Sequence, residues 1–261
     1  MRDVIPTGTS RDSEFLFQQM TQRTLFAARP GAGRRILDVA SGLGQDAMEL
    51  ARRGASVVAA EPSSRMSELA GLARSGDQQG DPSVLGRMTW LRCWSDALPF
   101  SNGSFDAVIC KGALDHFDRP GAAIEEMARV TCPGGTVVLA IANFDSLSCR
   151  ISRSLDRYHE RWQGREPAPG RRAYDVPHDH FTRYELGLMR EQASQFLELE
   201  LVEGISLGWG VARWSYAVER LPGALAGAAL AGLDWLARRA PAIADVVLLA
   251  GRPRHSLATS A

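Results

Sequence analysis

The residues with the clearest capacity for chemistry surround a glycine-rich turn early in the chain. The segment Ile36-Leu-Asp-Val-Ala-Ser-Gly-Leu-Gly44 runs from apolar strand residues into two glycines, and a helical pattern follows from Gln45. Glycines let the backbone turn sharply and approach a ligand closely, and the first turn of the next helix presents free N–H groups. Glu61 lies 19 residues after Gly42, at the end of the second apolar run, where an acid can bind both hydroxyls of a ribose.

The glycine-rich turn is compatible with two types of ligand. Gly42-x-Gly44-x-x-Ala47 fits the dinucleotide-binding fingerprint, although a lone fingerprint of this kind also matches plain tight turns between a strand and a helix. Asp38 lies inside the strand just before the turn. Because its carboxylate would oppose a pyrophosphate, it favours a ligand that has a cationic amino group and no phosphate.

Further segments extend this pattern along the chain. Residues 36–44 are similar to V-L-D-x-G-C-G-x-G, with Ala40 and Ser41 in place of a glycine and the cysteine, and related segments follow at 61–63, 95–100, 104–108 and 132–135. In this order they resemble the class I S-adenosylmethionine-dependent methyltransferases over about residues 34 to 142. The resemblance implies S-adenosylmethionine as cofactor and S-adenosylhomocysteine as its product. It also implies a set of cofactor-binding residues: Asp38, Ala40, Ser41, Gly42, Gly44, Glu61, Pro62, Asp96, Ala97 and Lys111.

Other polar residues are candidates for catalysis or for binding an acceptor. Asp115 and His116 follow the fourth predicted strand, and in open parallel sheets ligands bind beyond the carboxyl ends of the strands. A neutral His116 could take a proton from a nucleophile, or it could only shape the pocket. The candidate substrate-binding residues are His178, His180, Tyr184 and Trp209. The two histidines lack a third ligand, so we expect no metal site.

The elements that must position these residues alternate between β-branched runs and helical patterns. The predicted strands are 35–40, 55–60, 88–94, 105–110, 136–142, 197–201 and 244–250, and the main predicted helices are 45–53, 120–130, 182–196 and 222–239. Alternation of this kind predicts a parallel sheet covered on both faces. The expected fold is therefore α/β and Rossmann-like, a seven-stranded, mostly parallel sheet with helices on both faces and a lid insertion after strand five.

The same pattern predicts the organisation of the chain. We expect an N-terminal helical cap (1–33), a cofactor-binding core (34–145), a lid for substrate recognition (146–181), the C-terminal part of the core with a helical insertion (182–252) and a flexible tail (253–261). The lid segment is rich in Arg and aromatic residues and has no clean period. We therefore expect an irregular loop that closes over the cofactor's methyl end.

Composition limits the remaining possibilities. The 261 residues contain 30 basic and 30 acidic side chains, so no global field attracts nucleic acid or an anionic membrane, although a local basic patch remains possible. The N-terminus lacks the apolar core of a secretory signal, and four cysteines without a CxxC pattern predict reduced thiols in a cytoplasmic protein. The apolar stretch 221–236 falls short of a membrane span.

These observations predict an enzyme that moves a methyl group from S-adenosylmethionine to a small-molecule acceptor by in-line displacement, as a monomer or homodimer. A methyltransferase that acts on RNA or protein is the alternative within the same chemistry. An NAD(P)-dependent oxidoreductase and a non-catalytic cofactor-binding protein are the alternatives from other classes.

Overall fold

A computed structural model describes residues 10–76, 81–164, 181–211 and 213–254. The centre of the fold is one seven-stranded sheet with the strand order β3-β2-β1-β4-β5-β7-β6. The first five strands run parallel, and β7 runs antiparallel to both of its neighbours, β5 and β6. The strands are β1 (Arg35–Val39), β2 (Ser56–Ala60), β3 (Met88–Leu91), β4 (Phe105–Lys111), β5 (Thr131–Ala142), β6 (Leu197–Ile205) and β7 (Val246–Pro253). This confirms the predicted fold class.

Helices cover both faces of the sheet, and they pack on it through two separate apolar cores. The described helices are α1 (Arg11–Ala28), α2 (Gln45–Arg52), α3 (Ser64–Gly76), α4 (Pro82–Leu85), α5 (Pro120–Val130), α6 (Leu147–Gln163), α7 (Leu186–Phe196), α8 (Trp214–Arg220) and α9 (Gly223–Arg239), with short 3₁₀ turns at Leu114–His116 and Pro241–Ile243. Side chains alternate along β1, so Ile36 packs with α1 and α2 while Leu37 packs with α5 and α7. Asp38 therefore faces α1 and α2.

Several predicted boundaries are wrong for local reasons. Strand β5 begins at Thr131 rather than at residue 136, and residues 132–135 lie inside the strand, where the register against β4 shifts. The main predicted helices did not include the one-turn helix α4, which the Asp81 carboxylate caps by accepting a hydrogen bond from the backbone of Ser83. Helix α7 begins at Leu186 rather than at Thr182, and no side chain caps its start.

The segment after β5 differs most from the prediction. Its first half is not irregular but forms α6, a helix whose start is capped when the Ser146 hydroxyl accepts a hydrogen bond from the backbone of Cys149. The helix ends at Gly164, which has φ near 57°. Residues 165–180 lie outside the described part of the chain, so the lid role of this insertion and the domain boundaries remain predictions.

The remaining expectations concern membranes and cysteines. The apolar stretch 221–236 lies in and just before α9, and none of the described helices is long and apolar enough to cross a membrane. All four cysteines are free thiols. Burial raises the pKa of the Cys110 thiol far above its usual value, which keeps that group protonated and inert.

Candidate functional site

The loop after β1 has an unusual backbone that brings it close to its neighbours. Ala40, Gly42 and Gly44 all have positive φ, at 55°, 55° and 75°. A side chain at Gly44 would overlap the indole ring of Trp90, and the loop is fixed by a hydrogen bond from the Ser41 N–H to the carbonyl of Ala60 (3.1 Å). Only glycine fits at Gly44, while Ala40 adopts the left-handed conformation at a cost of about 1–2 kcal/mol. Alanine at position 40, where the family pattern has glycine, therefore leaves the turn intact but strained.

Glu61 joins this loop to the end of β2. Its Oε2 accepts a hydrogen bond from the backbone of Gly42 (2.8 Å), and its Oε1 accepts one from the backbone of Ser63 (2.9 Å). The side chain is buried yet lines the adjacent cavity. Each carboxylate oxygen has a second lone pair, so Glu61 can brace the loop and still accept hydrogen bonds from two hydroxyls.

Asp38 is a buried carboxyl group behind the loop. Its Oδ2 has no hydrogen-bond partner within the described residues. Burial, followed by the nearby Asp46 carboxylate, raises the pKa of Asp38 well above its usual value, and the Lys111 ammonium partly offsets both. A carboxyl group in this setting favours a cationic donor, because a positive charge would satisfy the free oxygen and stabilise the ionised form.

A cavity of about 550 Å³ opens in front of this loop, within the size range of small-molecule sites. It lies beyond the carboxyl ends of β1, β2 and β4. Six predicted residues line it: Ala40, Gly42, Glu61, Pro62, Asp96 and His116. The other lining residues are Ser63, Ser64, Met66, Arg92, Trp94, Ser95, Ala113, Phe117, Asp118, Arg119 and Phe181.

The wall opposite Glu61 carries Asp96 and an exposed tryptophan. The Asp96 carboxylate pairs with Arg119, at 2.7 Å from Nη2 and 3.0 Å from Nε. Ala97 follows Asp96 and closes a turn through its backbone, which donates to the carbonyl of Trp94. The Trp94 ring is largely exposed although it lines the cavity, so it offers a flat apolar surface for a planar ligand.

Asp115 and His116 lie in the 3₁₀ turn after β4. His116 lines the cavity, and its Nε2 lies 4.0 Å from Oδ1 of the buried Asp115. The backbone carbonyl of Asp115 accepts hydrogen bonds from the N–H groups of Phe181 (2.8 Å) and Thr182 (3.3 Å). These hydrogen bonds bring Phe181, the last residue of the predicted lid, to the edge of the cavity.

Two predicted site residues have structural roles away from the cavity. The Lys111 ammonium binds the Asp46 carboxylate at 2.7 Å and donates to the Thr21 hydroxyl at 2.7 Å, which fastens α1 to β4 and α2. Tyr184 is fully buried in the core, and its hydroxyl donates to the side-chain carbonyl of Gln192 (2.8 Å). Burial leaves Tyr184 no surface for a substrate, so its assignment as a binding residue is corrected.

Trp209 belongs to a second polar cluster, beyond β5 and β6. Its backbone donates to Oδ2 of Asp245 (3.0 Å), whose Oδ1 accepts from the Ser148 hydroxyl (2.7 Å). The Trp209 indole N–H donates to the hydroxyl of Ser13 in α1 (3.0 Å). Burial, with a smaller contribution from the Asp12 carboxylate, raises the pKa of Asp245 to about 7, against the opposing hydrogen bond from Ser148.

The other candidates fall outside what the structure describes. His178 and His180 lie outside the described residues. Within the described ranges, no group of three His, Cys, Asp or Glu side chains could hold a metal ion. Trp94, Arg119 and Phe181 also line the cavity, although they were not among the predicted site residues. The signal available for Trp94 was a large aromatic residue at the end of the predicted strand 88–94.

Related proteins place this site in a known group. A family model described as a methyltransferase domain matches residues 37–139. A demethylmenaquinone methyltransferase from Mycobacterium sp. (strain KMS) is 31% identical over 194 residues, which make up 74% of this chain and 75% of that protein. A demethylmenaquinone methyltransferase from Clavibacter sepedonicus is 37% identical over 116 residues, which span less than half of either protein (44%).

Solved structures share the fold across almost the whole chain. A chain from the complex with the Haloferax volcanii Trm112 methyltransferase activator matches with a TM-score of 0.60 at 20% identity and 94% coverage of both chains. The Haemonchus contortus phosphoethanolamine N-methyltransferase 2, solved with S-adenosyl-L-methionine, matches with a TM-score of 0.55 at 18% identity, covering 90% of this chain and 53% of that one. At these identities the structures support the fold alone. Together with the sequence relatives and the family model, they place this chain in the class I S-adenosylmethionine-dependent methyltransferase family.

Proposed function

We propose that the cavity binds S-adenosylmethionine and that the enzyme transfers the methyl group to a small-molecule acceptor. The observation that carries the proposal is the free Oδ2 of Asp38, a buried carboxyl oxygen beside a glycine-rich loop. A cationic amino group is the donor that such an oxygen favours, because it stabilises the ionised carboxylate, and an ionised carboxylate would repel the phosphates of a dinucleotide.

Residues that line the cavity fit the other parts of the same cofactor. Glu61 can accept hydrogen bonds from the two ribose hydroxyls with its remaining lone pairs, while Asp96 can accept from the adenine amino group. The exposed face of Trp94 suits the adenine ring. When bound, the cofactor supplies an electrophilic methyl group on a sulfonium, which needs no metal for activation.

The chain's own residues then position the acceptor and manage its proton. Holding two reacting groups close and aligned lowers the barrier by about 7–11 kcal/mol. The His116 imidazole lines the cavity and can accept the proton of a hydroxyl or amine acceptor. Phe181, at the cavity edge, limits the access of water to that side.

The sequence relatives and the cavity lining indicate the class of acceptor. The two aligned relatives are named for demethylmenaquinone, so an apolar small molecule of that kind is the first acceptor to test. The exposed ring of Phe181 at the cavity edge is compatible with such a molecule.

Two measurements test the proposal. Titration calorimetry should give micromolar affinity for S-adenosylhomocysteine and no binding of NAD or NADP, and the reverse result would refute the cofactor assignment. Labelled methyl transfer should then be measured to demethylmenaquinone and other small acceptors, with bulk RNA and protein in parallel. Transfer to RNA or protein but to none of the small molecules would refute the acceptor class.

A further inference from the structure

One face of α6 carries five large apolar side chains that are exposed. Their exposed fractions run from 38% at Leu147 to 75% at Trp162. The five are Leu147, Ile151, Leu155, Tyr158 and Trp162. At about 100° per residue, they fall within an arc of about 80° and form a continuous stripe along the helix. A helix on the surface of a globular protein normally turns such a stripe toward the core.

A row of arginines lies along one side of this stripe. They repeat at helical spacing, at Arg150, Arg153, Arg157 and Arg161. The Asp145 carboxylate binds the first two, at 2.7 Å and 3.1 Å, close to the start of the helix. The last two arginines of the row, Arg157 and Arg161, are exposed. They are adjacent in sequence to Tyr158 and Trp162, whose rings stack with their centroids 5.7 Å apart.

We propose that α6 lies in the plane of an anionic phospholipid bilayer and docks the protein on it. An in-plane helix inserts its apolar stripe at the boundary between headgroups and acyl chains, while basic side chains bind lipid phosphates. Tyrosine and tryptophan prefer this interfacial depth. The stripe and the arginine row of α6 match both parts of that surface, and the chain's zero net charge means that the attraction is local.

The second exposed apolar helix makes the choice of α6 specific. The outer face of α9 exposes Leu225 and Trp235, but it carries no charged side chain between Leu221 and Leu236 other than the buried Asp234. It therefore offers nothing to lipid phosphates before its last turn, where Arg238 and Arg239 lie and the Arg239 guanidinium stacks on the Trp235 ring. A comparably exposed leucine there, Leu225, provides a matched control for a substitution in α6.

The position of α6 gives the docking a consequence for the enzyme. The helix begins five residues after the end of β5, at the sheet edge where the cavity opens. Docking through a helix at this position would favour acceptors that partition into the lipid surface. The inference goes beyond the proposed function, and its test requires no methyl transfer.

The experiment is co-sedimentation of the full chain with vesicles of phosphatidylglycerol and phosphatidylcholine, and with phosphatidylcholine alone. We expect binding only to the anionic vesicles, weakened as salt rises from about 0.1 M to about 1 M. Leu155→Glu should reduce the partition coefficient at least about tenfold, because it places a charge in the apolar stripe. Arg161→Ala should reduce it about fivefold, the effect of one basic residue near an anionic surface. Leu225→Glu should bind as the unaltered protein does.

Each opposite result would overturn the proposal. Absence of binding to anionic vesicles would do so, as would binding that Leu155→Glu leaves unchanged. A loss with Leu225→Glu equal to that with Leu155→Glu would assign the docking to another surface. A dimer seen by sedimentation velocity and abolished by Leu155→Glu, without vesicle binding, would assign the stripe to a second copy of the chain. Unchanged S-adenosylhomocysteine binding and circular dichroism establish that the variants are folded.

Discussion

Replacing Glu61 by glutamine separates its two contributions to the site. The carboxylate accepts one hydrogen bond from Gly42 and one from Ser63, at 2.8 Å and 2.9 Å. Glutamine has a single acceptor oxygen, so one of these N–H groups must face an NH₂ group. Hydrogen bonds to a charged group contribute about 1.5–3 kcal/mol each, and we expect the free energy of unfolding to fall by about that amount. Urea denaturation measures this loss.

Cofactor affinity should fall as well, if the remaining lone pairs of Glu61 accept the ribose hydroxyls. Loss of one such bond weakens S-adenosylhomocysteine binding by about 10- to 150-fold, measured by calorimetry. A 2′-deoxy analogue is the control, because the Glu61→Gln penalty should shrink when the hydroxyl is absent. An equal penalty for both ligands would mean that Glu61 only braces the loop. An unchanged dissociation constant in the folded variant would refute the placement of the ribose.

Three further substitutions test the framework around the site. Gly44→Ala should lower the free energy of unfolding by about 2–4 kcal/mol, since a Cβ would overlap Trp90 and the residue has φ of 75°; an unchanged melting temperature would contradict the close approach of this loop to Trp90. Lys111→Met should cost about 2–4 kcal/mol and speed proteolysis within α1, because it leaves the Asp46 carboxylate without its cation; equal protease resistance would mean that α1 is held by other contacts. Burial raises the pKa of Asp245 from 3.8 to about 7, so this carboxyl group holds its proton more tightly in the folded protein than in the unfolded chain. The free energy of unfolding therefore falls as the pH rises through that interval. Between about pH 5 and about pH 8 the free energy of unfolding should fall by about 2–3 kcal/mol more in the unaltered protein than in Asp245→Asn, and parallel pH profiles would refute this.

Much of the fold could be predicted because its signals are local. The β-branched runs at 35–40 and 105–110 define central strands, and their alternation with helical patterns is enough to predict a parallel sheet. The strict alternation at 197–201 likewise predicted a half-exposed strand, and β6 lies at the edge of the sheet. Glu61 could be placed at the cavity because the carboxyl ends of parallel strands share one edge.

The contacts that individual side chains make could not be predicted, because they depend on elements that are distant in the sequence. Lys111 is the last residue of β4, at the expected end of the strand, but side-chain alternation turns it toward α1 and α2, where Asp46 and Thr21 bind it. Tyr184 is packed into the core by the helix that follows it, which its sequence neighbours do not reveal.

The insertion after β5 shows a different limit of sequence reading. No helix was predicted there, because the segment is mostly polar. Its apolar residues alone recur every three or four positions from Leu147 to Trp162, which is the period of a helix. A hydrophobic period normally identifies the face of a helix that meets the core. This face of α6 is exposed, so here the period marks a surface that the described part of the chain leaves uncovered. The arginine row beside it supplies what a core helix does not need. The exposed apolar stripe and the arginine row of α6 are therefore features of a membrane-binding helix. Vesicle sedimentation tests this binding independently of the chemistry in the cavity.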